Sequence, residues 1–165
     1  MDLLGSPPSL NLNDRTWIIH TLSEERPPVH IQTGAIIRNS MITDGSVVSE
    51  GATVENSVLS PGVYVGPNAV VRESVILTDS YIEAGAVVER CIVDKVAVIG
   101  HNARVGKIPD MGDLSITCVG KNTHVPAGYT IGSGCVLGTD LRLEDFAAFP
   151  NKTVPNNTNI GYSKK

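Results

Sequence analysis

Four histidines and three cysteines are the residues of this 165-residue chain with the widest chemical repertoire. A catalytic metal held by three imidazoles needs two of them close in sequence, and His20, His30, His101 and His124 lack that spacing. No metal site is expected. His101 and His124 follow an aliphatic residue by two and five places, where either imidazole could serve as the general base of an acyl transfer. The competing reading is an ordinary surface histidine, because no second polar partner is evident beside either one. Cys91, Cys118 and Cys135 are scattered, odd in number and without a C-x-x-C pair; they read as reduced thiols in small buried or half-buried places, as expected of a cytoplasmic protein. Arg90, Lys95, Arg104 and Lys107 are the candidate cations for the phosphates of an effector. Solvated surface charge is the reading to beat. Glycine pairs such as "IGSGC" from Ile131 precede no helix, so no phosphate-cradling loop is present. No set of catalytic residues emerges.

Composition bounds the scaffold that must carry these groups. Hydrophobic residues make up 41%, charged residues 18% and aromatics 4%, which describes a folded chain whose interior is mostly Val, Ile, Leu and Ala. A net charge of −4 without a basic run speaks against nucleic acid. No run of 18 apolar residues is present to span a membrane, and Met1–Pro8 lacks a signal peptide's regions.

The scaffold is legible as a repeat. Aliphatic residues fall at Ile37, Ile42, Val48, Val54, Leu59, Val65, Val71, Ile76, Ile82, Val88, Val93, Ile99 and Val105, in steps of five, six and six. The period is therefore 17 residues. Ala52, Ala69, Ala86 and Ala103 keep the same register, as do Ser40, Ser57, Ser74 and Cys91, and Gly51, Asn68, Gly85 and Asn102. Each column meets a different need: inward stacking of aliphatics, a small residue where two faces meet, and tolerance of positive φ at a tight corner. Val96 is the one departure among the corners that follow the aliphatics by three places. Steps of five and six do not hold one face of a helix, and copies 17 apart must stack in parallel. Arg38, Glu55, Arg72 and Glu89 alternate in sign at equivalent outward positions, predicting a ladder of surface ion pairs.

The organisation follows. Residues 1–30 form a non-repeating connector with paired prolines at both ends, whose Leu10, Leu12, Trp17, Ile18 and Ile19 are expected to pack on the first turn or on a missing part. Residues 31–149 form the coil, with a loop at 106–118 marked by Pro109 and Gly112. The register resumes at Val119 with Val125, Ile131, Leu137, Leu143 and Phe149 as inward positions. Residues 150–165 are polar and read as a cap and tail. A stack of six or seven turns would be about 30 Å long.

"VGPNAV" from Val65, "IEAGAV" from Ile82 and "IGHNAR" from Ile99 resemble the hexapeptide-repeat proteins. That resemblance implies an all-β fold, a single-stranded left-handed parallel β-helix; the general crossover rule would have favoured the right-handed form. With "LNLNDRTWIIHT…RPPV" in front, and "NSVLSPGVYVG" and "CIVDKVAVIGHNARVG" within, the chain looks like the connector and C-terminal domain of glucose-1-phosphate adenylyltransferase, ADP-glucose pyrophosphorylase. The similarity runs to about Gly106 and more loosely from Val119 to Gly138. It implies a parent enzyme that makes ADP-glucose and pyrophosphate from ATP and glucose 1-phosphate, with Mg²⁺, for glycogen or starch. It also implies that this chain serves assembly and regulation. The partners it implies are the chain's own N-terminal catalytic domain, further copies in a homo-oligomer, and a phosphorylated-sugar effector. The family's nucleotide-binding motif and catalytic Asp and Lys have no counterpart here, so this chain alone is expected to be inactive. A free-standing hexapeptide acyltransferase using His101 or His124 is the alternative, with residues 106–118 over its acyl-carrier slot. A γ-class carbonic anhydrase is a third reading, discounted because His20, His30, His101 and His124 lack the ligand spacing.

Overall fold

The computed structural model describes residues 2–8, 10–12, 14, 16–17, 25–107 and 115–161. Apart from two 3-10 turns, Asp2–Leu4 and Leu143–Phe146, its regular structure is β, in strands of two or three residues. Those strands stack into three parallel sheets of six, seven and seven strands, the three faces of a coil. Face one runs from His30–Ile31 to His124–Val125, face two from Ile36–Arg38 to Thr153–Val154, and face three from Met41–Ile42 to Asn159–Ile160. The pairing register is the sequence period: His30 lies beside Val47, Ile37 beside Val54 and Met41 beside Val58. The chain is a parallel β-helix of hexapeptide repeats.

Each strand carries an inward aliphatic, and the inward columns are closed to solvent: Val54, Val71, Val88 and Val105 on face two, Leu59, Ile76 and Val93 on face three, Val48, Val65, Ile82 and Ile99 on face one. Removing such a side chain from water contributes about 1.5–3 kcal/mol, repeated at every rung. Ala52, Ala69, Ala86 and Ala103 are fully buried at one corner, where nothing larger fits.

The serine column does more than save space. Ser57 Oγ donates to the carbonyl of Glu55 at 2.7 Å and accepts the N–H of Ser74, one turn on, at 3.2 Å. Ser74 repeats this with Arg72 O and the N–H of Cys91. A buried hydroxyl thus satisfies main-chain groups that the corner takes out of the sheet ladder. Cys91 ends the column, its Sγ 3.1 Å from the Glu89 carbonyl.

The corners explain the glycine–asparagine alternation. A Cβ on Gly51 would overlap Oδ1 of Asn68, and one on Gly85 would overlap Oδ1 of Asn102. An asparagine therefore leans over the missing side chain of the turn below. Val96 keeps the left-handed conformation at φ 59° although it is β-branched, so the corner geometry overrides the residue's preference. Asn39, Asn56, Glu73 and Arg90 form a further positive-φ column, at 42–53°, where face two passes into face three.

The expected inner positions hold to Leu137 and then shift. Leu143 is 63% exposed and Phe149 only partly buried; Leu141 and Phe146 are the buried residues instead. The cause is the 3-10 turn Leu143–Phe146, which stands where face one would have its next strand. It drives the Phe146 ring edge-on against Tyr129 at 5.5 Å. The coil also continues past residue 149: Thr153–Val154 and Asn159–Ile160 each add a strand, and Val154 and Ile160 are buried. At the other end Leu10, Leu12 and Trp17 are 40%, 45% and 65% exposed, so none of them joins the buried core. Ile18 and Ile19 lie outside the described residues.

Candidate functional site

The charge ladder forms as its spacing requires. Glu55 receives Arg38 Nη1 at 2.8 Å and Arg72 Nε at 2.9 Å, and Arg72 Nη1 reaches Glu89 at 3.4 Å. Donation from Arg72 holds the Glu55 carboxyl below its ordinary range and pushes the Arg72 guanidinium up.

The four proposed effector cations divide by place. Arg90 stands at the corner between faces two and three, where its Nη1 pairs with Glu73 at 3.4 Å. Its Nε is buried without a hydrogen-bond partner among the described residues. Glu89 pairs with Gly106, so Lys107 follows one turn above Arg90 at the same edge. Arg104 points outward from face two beside Val87. Lys95 lies on the far side of face three, past Cys91–Val93. The fold therefore brings Arg90 and Lys107 to one edge and leaves Arg104 on an adjoining face and Lys95 at another corner. Beside Arg90 is a concavity of about 350 Å³ lined by Glu73, Val75, Arg90, Cys91, Ile92 and Ile116. A second, of the same size, lies between Leu4, Gly5, Asn39, Asn56 and Glu73. Glu73 belongs to both. The concavity thus sets the Arg90–Glu73 ion pair beside the apolar Val75, Ile92 and Ile116, with Lys107 following at the same edge.

Both candidate bases are exposed. His101 occupies a corner, where its main-chain N–H donates to Glu83 Oε2 at 2.7 Å, and His124 points outward from face one beside Val98. Among the described residues neither imidazole has a hydrogen-bond partner to orient it, the third element a base needs for catalysis. The cysteines take the small places expected of them: Cys91 and Cys135 are buried and Cys118 is half-buried. Burial pushes the thiols of Cys91 and Cys135 upward, away from reactivity. Among the described residues no group of three or more His, Cys, Asp and Glu is placed to hold a metal ion, and no helix is long and apolar enough to cross a membrane.

Sequence reasoning missed the contact between connector and coil. Arg26 donates from Nη1 to Asp79 Oδ1 at 2.6 Å and from Nη2 to Asp79 Oδ2 at 3.0 Å. Donation from Arg26 holds the Asp79 carboxyl below its ordinary value. The signal was present only as an aspartate at a corner that is glycine in the two turns before it; its partner, 53 residues away, was invisible to spacing. Glu73 as the partner of Arg90 was missed because neither residue type suggests a positive-φ corner.

The family model described as "GlmU-like, C-terminal hexapeptide" matches residues 29–113. Glucose-1-phosphate adenylyltransferase of Thermomicrobium roseum is 45% identical over 169 residues, covering 97% of this chain and 39% of the relative. That of Acetivibrio thermocellus is 32% identical over 154 residues, covering 88% of this chain and 36% of its own. The chain thus spans under two-fifths of the length of these curated relatives. Among solved structures, a Desulfovibrio desulfuricans protein titled "putative acetyltransferase" is similar in fold, with TM-score 0.52 and 14% identity over 79% of this chain and 24% of that one. The repeat, the corner columns and the family match converge: this chain belongs to the GlmU-like C-terminal hexapeptide family.

Proposed function

We propose that this chain is the C-terminal β-helix portion of a nucleotidyltransferase that makes ADP-glucose and pyrophosphate from ATP and glucose 1-phosphate, the entry reaction of glycogen or starch synthesis in the cytoplasm. The observation that carries this is the alignment of 97% of the chain, connector included, with one segment of a glucose-1-phosphate adenylyltransferase at 45% identity. A fold match alone would not discriminate, since hexapeptide coils serve many transferases. On this reading the chain supplies no catalytic group. Nucleotide, sugar phosphate and the Mg²⁺ that the reaction uses are held by the catalytic domain, and no step runs through these residues.

Its work is mechanical and regulatory. A coil with three flat faces and a core of interlocked rungs is a rigid post on which a catalytic domain and further copies of the chain can be fixed. Hexapeptide β-helix domains generally associate in threes, and self-association here gives the homo-oligomer. Of the four effector cations, Arg90 and Lys107 are the pair that one phosphorylated sugar could reach together; Arg104 and Lys95 would have to meet it from other faces.

The test is a chimera in which this chain replaces the matching C-terminal segment of the Thermomicrobium roseum enzyme. Retained ADP-glucose synthesis in an oligomer is the expected result. A soluble, folded chimera without that activity overturns the reading. The isolated chain, offered acetyl-coenzyme A and amine acceptors, is expected to transfer nothing. Acetyl transfer abolished by His101→Ala or His124→Ala would install the acyltransferase reading instead.

A further inference from the structure

The connector approaches the coil through three features that act together. Arg26 precedes the pair Pro27–Pro28, so its backbone is held extended and the next two φ angles are fixed. The carbonyl of Pro27 then accepts the N–H of Gly45, at the first turn's corner between faces three and one, at 2.6 Å. From that point the Arg26 side chain runs up the corner column Gly45, Gly62, Asp79, one member per turn. A Cβ on Gly45 would lie 3.0 Å from Arg26 Cδ and 3.2 Å from its Cβ, and one on Gly62 would overlap Arg26 Nη1 and Asp79 Oδ1. At the third turn the guanidinium meets Asp79 with two parallel hydrogen bonds. The Arg26 side chain is 20% exposed and that of Asp79 45%, so the guanidinium lies against the coil and meets a carboxylate at its rim in a two-point fork.

The corner glycines here therefore do two things: they accept positive φ, and they leave a channel that the Arg26 side chain fills. The later members of the same column, Val96, Asn122 and Asp140, carry side chains and lie beyond its reach. Where the described chain enters the coil, its course is set by the Pro27 carbonyl on Gly45 and by the Arg26 fork on Asp79.

We propose that Arg26 and Asp79 are positioning residues: their ion pair, lying in the channel over Gly45 and Gly62, sets the direction in which the chain enters the coil and thereby the placement of the catalytic domain on it. This rests on the assignment to a nucleotidyltransferase made above.

The experiment uses the full-length enzyme and four forms of it: wild type, Asp79→Asn, Arg26→Lys, and the reversed pair Arg26→Asp with Asp79→Arg. Two readouts are taken, amide hydrogen exchange at Gly45 and the kcat and KM of ADP-glucose synthesis. Asp79→Asn is expected to speed exchange at Gly45 roughly five- to tenfold, the effect of freeing one local contact. Exchange at Ile76 and Val93, inside the coil, is expected to stay put. The same variant is expected to lose kcat several-fold with KM for ATP unchanged. Arg26→Lys, which keeps the charge and loses the fork, should fall between, and the reversed pair should recover part of both losses. Unchanged Gly45 exchange in Asp79→Asn overturns the proposal, because the pair then does not hold the connector. Faster exchange with undiminished kcat overturns it too, because the direction of entry then does not matter to catalysis. Wild-type enzyme without ADP-glucose synthesis would instead sink the underlying assignment, and the proposal with it, while the exchange arm would still report on the contact.

Discussion

Three glycine-to-alanine substitutions separate the physical reasons for glycine in this coil. Gly128 has φ +72° and only Lys152 Nζ, at 3.8 Å, near the position of an added Cβ. Alanine there costs the left-handed penalty of about 1–2 kcal/mol, offset by about 0.5–1 kcal/mol from a less flexible unfolded chain. The net is a loss of about 1 kcal/mol. Gly85, at φ +68°, bears the same strain, but its new methyl would overlap Oδ1 of Asn102 and sit 3.3 Å from Cγ. That amide ends a movable side chain, so its displacement adds about 1 kcal/mol. Gly100 does not have a positive φ. Its Cβ would lie 2.7 Å from Ala127 N and Val125 O and 2.9 Å from Pro126 C, all backbone of the next turn. Nothing can swing aside, and the loss should reach about 3 kcal/mol or more. Urea titration with an unchanged m-value measures all three. A double-mutant cycle adds Asn102→Gly to Gly85→Ala and should return about 1 kcal/mol. Equal losses at Gly85 and Gly128, or a Gly100→Ala protein no weaker than Gly128→Ala, would refute the close stacking from which the ranking was worked.

Adjacent residues test inward against outward: Ile76→Ala, fully buried, should cost about 3 kcal/mol, and Val75→Ala, half-buried on the outer side, less than about 1 kcal/mol, in the same urea assay. Under a thiol reagent at mildly alkaline pH, native protein should label quickly at Cys118, while Cys91 and Cys135 wait for unfolding because burial raises their thiols; quick labelling of Cys91 would contradict its place in the serine column. The Asp79 carboxyl is depressed by Arg26, so the stability it confers is present above its ordinary value of 3.8 and lost as pH falls below it. Measured against Asp79→Asn, the wild-type advantage should stay level from about pH 7 to about pH 5 and vanish below the ordinary carboxylate range; an advantage that grows on acidification would reverse the sign.

Much of the fold was legible because one rule repeats. Stacked turns force equivalent residues into one environment, so Ile37, Val54, Val71, Val88 and Val105 announce a column through type alone, and Arg38, Glu55, Arg72 and Glu89 announce a ladder. Legibility fails where the rule is interrupted. Leu143 fits the six-residue count, yet the 3-10 turn at Leu143–Phe146 rotates Phe146 into the core in its place, and counting cannot see a turn change. Val154 and Ile160 went unrecognised because the extra turn shifts register, so partners such as Ile131 and Val154 no longer stand at the repeat spacing. The site was harder still. Arg90 and Lys107 were singled out with Lys95 and Arg104 because they are near in sequence, but a coil separates such neighbours onto different faces. It also joins residues as distant as Arg26 and Asp79, for which no local pattern exists.

The intact mass of the polypeptide that carries this sequence in its source cells tests the central claim most directly. This chain is 17.5 kDa, and it matches 39% of the Thermomicrobium roseum relative. A catalytic domain joined to it predicts a mass of about 45 kDa, the chain's mass divided by that share. A native polypeptide near 17.5 kDa would contradict the account, since the coil would then act without the domain it is proposed to hold.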